Sequence, residues 1–342
     1  MSRESDAMRV LELQSAGDLR VVERPTPRVG AGDVLIRVGW GGICGSDIAY
    51  WRSGRSGSAV QRHPFVLGHE IAGTVVTVGA EVDALSPGDA VTVHPAATAG
   101  ALPERLAGRD NLHPNLTYLG SAAHDPHTDG GFAEQIAAPA SRVRRLPAAL
   151  PIRRAALAEP LGVALHAVTR AGDVTGQDVL VSGAGPIGAL TVVALRAAGA
   201  GRVTVIDPAP AARDRATALG ADRVLDVGEA ITGSPTVAFE ASGAATSVAS
   251  VLGLVATGGV VVQVGNLPLD PVTVPLALLV SRELDYRGTY RFVNEIDRAV
   301  EVLAATPAAE TVITHEFALD ETDEAFATAA DGQRSCKVLL RF

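Results

Sequence analysis

The feature that most constrains this chain is a glycine pattern in a fixed setting. Gly183, Gly185 and Gly188, with Pro186 and Ile187 before the last of them, form GAGPIG one residue after the apolar run Val179-Leu180-Val181. An Ala/Leu-rich stretch of helical spacing follows, then a second apolar run that ends in Asp207, about 20 residues past the last glycine. A glycine trio alone is a weak signal. Strand, turn, helix, strand and acid in that order make a dinucleotide-binding fingerprint. Gly183 permits the tight turn, Gly185 lets backbone N–H groups approach a pyrophosphate, and Gly188 lets helix and strand pack closely. The pyrophosphate then rests on a helix N-terminus, where unpaired N–H groups and the helix dipole favour an anion. Asp207 is placed to bond the adenosine ribose hydroxyls and to repel a 2′-phosphate, which favours NAD over NADP. Arg213 is the nearby cation that bears on that choice, and it joins the candidate cofactor-binding residues.

The rest of the chain sorts around this unit. From Pro151 onward, Ala/Leu-rich helical segments alternate with Val/Ile runs (DVLVSGAG, RVTVIDP, RVLDV, TVAFEAS, GGVVVQVG), the pattern of a parallel sheet covered by helices. Before it, short β-like runs such as DVLIRVG, EIAGTVVTVG and DAVTVHP are punctuated by Gly and Pro, predicting a compact, mostly β domain. After Tyr290 the spacing predicts a helix over FVNEIDRAVEVLAA and a closing strand in CKVLLRF, and the tail is expected to return to the first domain. The fold class is therefore α/β. Residues 153–289 form a doubly wound parallel-sheet domain, and residues 1–152 with 290–342 form the mostly β domain.

Charge and cysteine content narrow the partners. With 29 basic and 38 acidic residues the net charge is −9, so no basic excess exists to neutralise nucleic acid or an anionic membrane. Two cysteines in 342 residues exclude a disulfide framework and fit a reducing compartment. The N-terminal MSRESDAMRV holds no apolar stretch of the kind a secretory leader needs. Residues 242–269 carry no charge and exceed the ~20 residues of a spanning helix. Gly258-Gly259 splits that stretch into a helix-like half and a strand-like VVVQVG, so two buried elements are expected. A cytoplasmic protein without a membrane segment follows.

The first domain holds a second chemistry. Cys44 sits in GGICGSD, and His69-Glu70 follow FVLG. Singly, a free cysteine reads as a small buried hydrophobe and a histidine as part of a core polar network. Together, a thiolate, an imidazole and a carboxylate form a borderline-soft ligand set suited to zinc.

GGICGSD, GHEIAGTVVTVG, the SPGDAV turn, AEPL and GAGPIG stand in this order along the chain. In this the chain resembles the zinc-dependent medium-chain alcohol and polyol dehydrogenases, over essentially its whole length. GSDIAYW, YLGSAAHDPHTDGGFAE, AEPLGVALHAV and the stretch Gly288-Thr289-Tyr290-Arg291-Phe292 resemble their sorbitol and L-idonate dehydrogenase branch. The resemblance implies a GroES-like catalytic domain beside a Rossmann domain. It implies a catalytic zinc on Cys44 and His69, with Glu70 and Glu159 as carboxylate ligands, bound directly, through water or alternately. Asp47 would hold the far ring nitrogen of His69. Ser46 would hydrogen-bond the substrate oxygen and pass its proton outward, and Tyr50, Trp51, Tyr118, Arg291 and Phe292 would line the substrate pocket. A homodimer or homotetramer is implied as well, with PVTVPLALLV as an apolar strand able to supply the contact.

Two departures from the family pattern stand out. Relatives often carry a histidine five positions after the zinc cysteine to end a proton relay; here that position is Ala49. The four-cysteine lobe of many relatives maps onto Ala99, Leu102, Arg105 and His113, so no structural four-cysteine zinc can form and one zinc per chain is expected. His113, His124 and His127 with Asp110 and Asp125 match no ligand spacing, and Cys336 reads as a small buried residue.

Three functions are weighed. The first is hydride transfer between a secondary alcohol of a polyol or aldonate and NAD. The second is the same chemistry on a non-sugar secondary alcohol or amino-alcohol of specialised metabolism. The third is a non-catalytic dinucleotide-binding redox sensor, against which the retained Cys44, His69, Glu70, Glu159 and Ser46 argue.

Overall fold

The computed structural model describes residues 7–268 and 270–342. The first six residues, on which the leader reading partly rests, and Leu269, at the end of the uncharged stretch, lie outside the described residues. Two units divide the chain: Met1–Glu159 with Ile313–Phe342, and Pro160–Val312.

The first unit is built on a sheet ordered Val143–Arg145, Ala90–Val93, Glu70–Val78, Asp33–Gly42, Lys337–Arg341 and Ile313–Ala318, with Gln135–Pro139 also paired to Asp33–Gly42. The last two strands of that order run parallel and the other pairs antiparallel. Asp33–Gly42 lies inside the sheet, and Val34, Leu35, Ile36 and Val38 are all buried because both of its faces are covered. Phe65, Phe132, Leu11, Leu13, Leu67 and Ile71 fill the core beneath it. Each such side chain contributes about 1.5–3 kcal/mol by leaving water.

Register in this sheet positions the site. Gly42 lies opposite Glu70 on one side and Leu339 on the other. The ends of three strands therefore meet beside Cys44, which follows the central strand. No side chain fits at Gly42, since a Cβ there would sit 2.1 Å from Glu70 Oε2. Gly68, at φ +93° and with its Cβ position 2.2 Å from the Phe132 ring, turns the chain out of the core into His69.

The second unit carries six parallel strands ordered Arg223–Leu225, Val203–Ile206, Val179–Ser182, Val237–Glu240, Val260–Gln263 and Asp285–Gly288. In chain order that is 3-2-1-4-5-6, the doubly wound arrangement, with its switch point between Val179–Ser182 and Val237–Glu240. The uncharged stretch resolves into helix Ala245–Leu254, a turn at Gly258 and strand Val260–Gln263. No helix among the described residues is long and apolar enough to cross a membrane.

The units break at different places from those the sequence suggests. The first break falls after Glu159, inside helix Ala158–Ala171, because Ile152–Ala155 packs against Glu70–Val78 and Ala90–Val93. The second falls after Val312 rather than after residue 289. Helix Glu295–Ala305 buries Ile296, Ala299, Val300, Val302 and Leu303 on one face, and it packs with Pro307–Val312 on helix Pro186–Ala197. Apolar spacing announces a helix but not which sheet it will cover.

Candidate active site

In the first unit, Cys44 caps the N-terminus of helix Gly45–Ser53, and its backbone N–H donates to Asp47 Oδ2 at 2.9 Å. Asp47 is fully buried; its Oδ1 accepts from the Gly68 N–H at 3.2 Å and lies 4.0 Å from His69 Nδ1. That nitrogen is buried and has no hydrogen-bond partner. The donor atoms of Cys44, His69 and Glu70 all lie within 4.8 Å of one another. Ser46 is half-buried on the first turn of the same helix.

Two partners of the carboxylates went unread or misread in the sequence. Lys337, 3% exposed, donates to Glu70 Oε1 at 2.7 Å and Oε2 at 2.6 Å, and to the Ile43 carbonyl at 3.0 Å. Its signal was a cation opening an otherwise apolar strand. Tyr118, expected only to line a pocket, donates its hydroxyl to Glu159 Oε1 at 2.5 Å and presents its ring edge-on to His69, centroids 5.5 Å apart.

Burial alone would push the His69 imidazole down, but negative charge at Cys44, Asp47 and Glu159 carries it up to about 10. Burial raises the Asp47 and Glu159 carboxyls, partly offset by His69. It opposes the charge on Lys337 too, yet Glu70 above all keeps that ammonium above its ordinary value. Four potential anions thus face two cations in a buried patch. A divalent ion fits that imbalance, and thiolate, imidazole and carboxylate are donors zinc accepts. The expected hydrogen bond from the His69 ring to Asp47 is not formed: Nδ1 stops 4.0 Å short of Oδ1 because that oxygen already accepts from the Gly68 N–H, and the nitrogen is left buried without a partner.

The other expected pocket residues of this unit have core partners. Tyr50 is 3% exposed, its hydroxyl accepting from the Ala122 N–H at 3.0 Å and its ring edge-on to Phe65. Trp51 packs edge-on against Phe326. The lobe around residues 99–113 is tied by hydrogen bonds: Asn115 donates to the Ala99 carbonyl at 3.3 Å and to His113 Nδ1 at 3.0 Å.

In the second unit, Gly183 adopts φ +93°, and a Cβ there would lie 2.7 Å from the Ser242 nitrogen. A Cβ on Gly188 would lie 1.9 Å from the Gly183 carbonyl, whereas at Gly185 it would meet nothing within 4 Å. Two of the glycines are thus demanded by packing and one faces open space. Pro186 opens helix Pro186–Ala197, where its missing N–H costs nothing, and Ile187 follows it. Asp207 accepts from the Ala184 N–H at 2.7 Å and the Ala209 N–H at 2.8 Å, which fixes its carboxylate beside the turn. Arg213 donates to the Asp207 and Pro208 carbonyls at 2.7 and 3.0 Å and lies 3.3 Å from Asp226.

Glu240, fully buried, was not singled out from the sequence. It accepts from the Ser242 N–H at 2.9 Å, the Gly243 N–H at 3.2 Å and Gln263 Nε2 at 2.6 Å, bracing the loop against which Gly183 packs. Phe292 is 2% exposed and packs on Gly162, while Arg291 sits at φ +52° with its guanidinium 4.8 Å from the Tyr290 ring centre. Glu295 lies 2.7 Å from His166 Nδ1 and accepts from the Val293 N–H at 2.7 Å.

Residues 30–148 match the alcohol dehydrogenase GroES-like domain, and residues 186–305 match the zinc-binding dehydrogenase domain. A GroES-like unit and a Rossmann unit of these kinds define a zinc- and nicotinamide-dependent oxidoreductase. Sorbitol dehydrogenase of Bos taurus is 36% identical over 344 residues, covering 97% of this chain and 95% of the relative. The crystal structure of L-idonate 5-dehydrogenase from Escherichia coli superposes with a TM-score of 0.92 at 30% identity, over 98% of each chain. A zinc-binding dehydrogenase of Sinorhizobium meliloti, bound to NADP, gives 0.88 at 32% identity over 98% of this chain and 99% of its own. The chain belongs to the zinc-dependent medium-chain dehydrogenase family, in its sorbitol and L-idonate dehydrogenase branch. It is an enzyme, which removes the non-catalytic sensor from the three functions.

Proposed function

We propose that this enzyme oxidises a secondary hydroxyl of a polyol or aldonate, sorbitol- or L-idonate-like, with NAD as hydride acceptor and one zinc per chain. The observation that carries the reading is the convergence of the Cys44, His69 and Glu70 donors within 4.8 Å, beside a His69 nitrogen that lacks a partner. Cys44 and His69 hold the metal, and Glu70 and Glu159 supply carboxylate oxygens. Zinc, when bound, supplies Lewis acidity that eases loss of the alcohol proton near neutral pH. Ser46 hydrogen-bonds the substrate oxygen and takes that proton outward. Ala49 offers no acceptor, so water or the ribose hydroxyls complete the transfer.

Tyr118 contributes to the pocket beside His69, and Tyr50 and Trp51 stiffen the helix that carries Ser46. Arg291 offers a guanidinium fork suited to a hydroxyl-rich or anionic substrate. Phe292 anchors that segment on Gly162. Gly183, Gly185, Pro186, Ile187 and Gly188 receive the pyrophosphate. Asp207 selects NAD, and Arg213 is occupied by backbone carbonyls rather than turned to a phosphate. The Sinorhizobium relative's NADP makes that choice worth measuring directly.

A homodimer or a homotetramer is the proposed assembly. PVTVPLALLV, expected as a strand, instead runs without strand pairing into the short helix Ala277–Ser281, where Val280 is 84% exposed next to Leu276 at 53%; these side chains, with strand Asp285–Gly288 at the edge of its sheet, are the apolar surface suited to a second copy. A ligating thiolate calls for a reducing compartment, consistent with the cytoplasm. The test of the reading is a panel of polyols and aldonates followed by NADH absorbance. Oxidation of at least one sugar alcohol or acid with NAD is expected. Turnover confined to non-sugar alcohols would contradict it.

A further inference from the structure

The segment that follows the edge strand Asp285–Gly288 is strained and is anchored on both sides of the strain. Arg291 sits at φ +52°, one of two non-glycine residues at positive φ among the described residues. Such a conformation persists only where the surroundings enforce it, and it gathers at ligand clamps. Two residues earlier, the Thr289 hydroxyl oxygen is buried and has no hydrogen-bond partner, the state of a group that a ligand completes.

The anchors come from one helix. Phe292 is buried on Gly162, where a Cβ would sit 3.2 Å from its ring. Glu295 closes the turn: its Oε2 accepts from the Val293 N–H at 2.7 Å and the Asn294 N–H at 3.0 Å, and its Oε1 lies 2.7 Å from Nδ1 of the buried His166. Gly162 and His166 stand four residues apart on helix Ala158–Ala171, so a single face receives both contacts. Burial would raise the Glu295 carboxyl, but His166 and the backbone N–H groups hold it below 4.5, so it is an anion at neutral pH.

We infer that Glu295 and His166 are positioning residues for the substrate: the carboxylate, braced by the imidazole, holds the Arg291 turn in the strained form whose guanidinium binds a hydroxyl-rich or anionic substrate. The inference rests on the role proposed above for Arg291 and extends it to two residues that do not touch the substrate.

The test measures KM and kcat for sorbitol and L-idonate, with NADH affinity by fluorescence, in Glu295→Ala and in His166→Leu, which fills the space and removes the brace. Each is expected to raise KM about 10-fold, with kcat and NADH affinity within about twofold. Glu295→Gln, which keeps an oxygen for the Val293 and Asn294 N–H groups, should recover most of the loss. In an Arg291→Ala background, adding Glu295→Ala is expected to leave KM where it is. Unchanged KM in either single variant, an equal loss of kcat and NADH affinity, or a full further rise in the double variant overturns the inference while leaving the role of Arg291 standing. An Arg291→Ala enzyme with unchanged KM, or wild type that oxidises neither compound, overturns both.

Discussion

Replacing Lys337 by methionine tests what strand register builds at the metal donors. The ammonium lies 2.7 and 2.6 Å from the two oxygens of Glu70 and 3.0 Å from the Ile43 carbonyl. The two side chains are 3% and 1% exposed, so water does not screen the pair. Methionine fills similar volume but leaves a buried carboxylate without its cation, which costs about 3–5 kcal/mol. Trp40 and Trp51 are the only tryptophans and both belong to the first unit, so their fluorescence reports its unfolding. With a urea slope near ~2 kcal/mol/M, the midpoint of chelator-treated protein is expected to fall by roughly 2 M. Lys337→Arg, which keeps the charge, should lose much less. A midpoint lowered by under about 0.5 M in the methionine variant would refute the reasoning, because a buried unpaired carboxylate cannot be that cheap.

Other expectations follow from single contacts. Asp207→Ala removes a charged acceptor for the ribose hydroxyls worth about 1.5–3 kcal/mol, so kcat/KM for NAD should fall about 10–150-fold with NADP much less affected. An unchanged cofactor ratio would take Asp207 off the ribose. Gly185→Ala meets open space and should fold normally while weakening NADH binding by fluorescence titration, whereas Gly188→Ala forces a methyl against the Gly183 carbonyl and should lower the melting temperature. Equal NADH affinity in Gly185→Ala and wild type would contradict the proposed pyrophosphate approach. Glu295 has a carboxyl that burial would raise but that His166 and backbone N–H groups hold below its ordinary value of 4.5. A depressed folded pKa contributes stability above the unfolded value and loses it as pH falls through the folded one. Below pH 4.5, wild type should therefore lose stability faster than Glu295→Gln in urea titrations, and parallel losses would exclude the pair as the cause.

Local chemistry was legible in the sequence and long-range register was not. GAGPIG with Asp207 needs only neighbouring residues to be read, and the structure gives its glycines the packing and openness that the motif suggests. GGICGSD and GHE likewise announce their donors, since a thiol and an imidazole in one small domain already suggest a metal. Lys337 was invisible because it reaches Glu70 across 267 positions, through the pairing of Leu339 with Gly42 and of Gly42 with Glu70. Tyr118 and Glu159 are 41 positions apart, and nothing in either motif states that a phenol will meet a carboxylate. The same reasoning covers residues 290–312, whose helix was foreseen but whose packing surface on Pro186–Ala197 was not. Glu240 shows the complementary failure: a lone acid at the end of an apolar strand reads as nothing until three neighbouring donors are seen around it.

The proposed chemistry requires that Cys44 anchor one zinc per chain and that this zinc carry the turnover. Metal analysis of protein purified without added metal, paired with NADH production before and after chelation, tests it most directly. One zinc per chain is expected, with loss of activity when it is removed and recovery when zinc is returned. Cys44→Ser should lack the metal yet still bind NADH. Two zinc ions per chain, or turnover that persists in zinc-free protein, would contradict it.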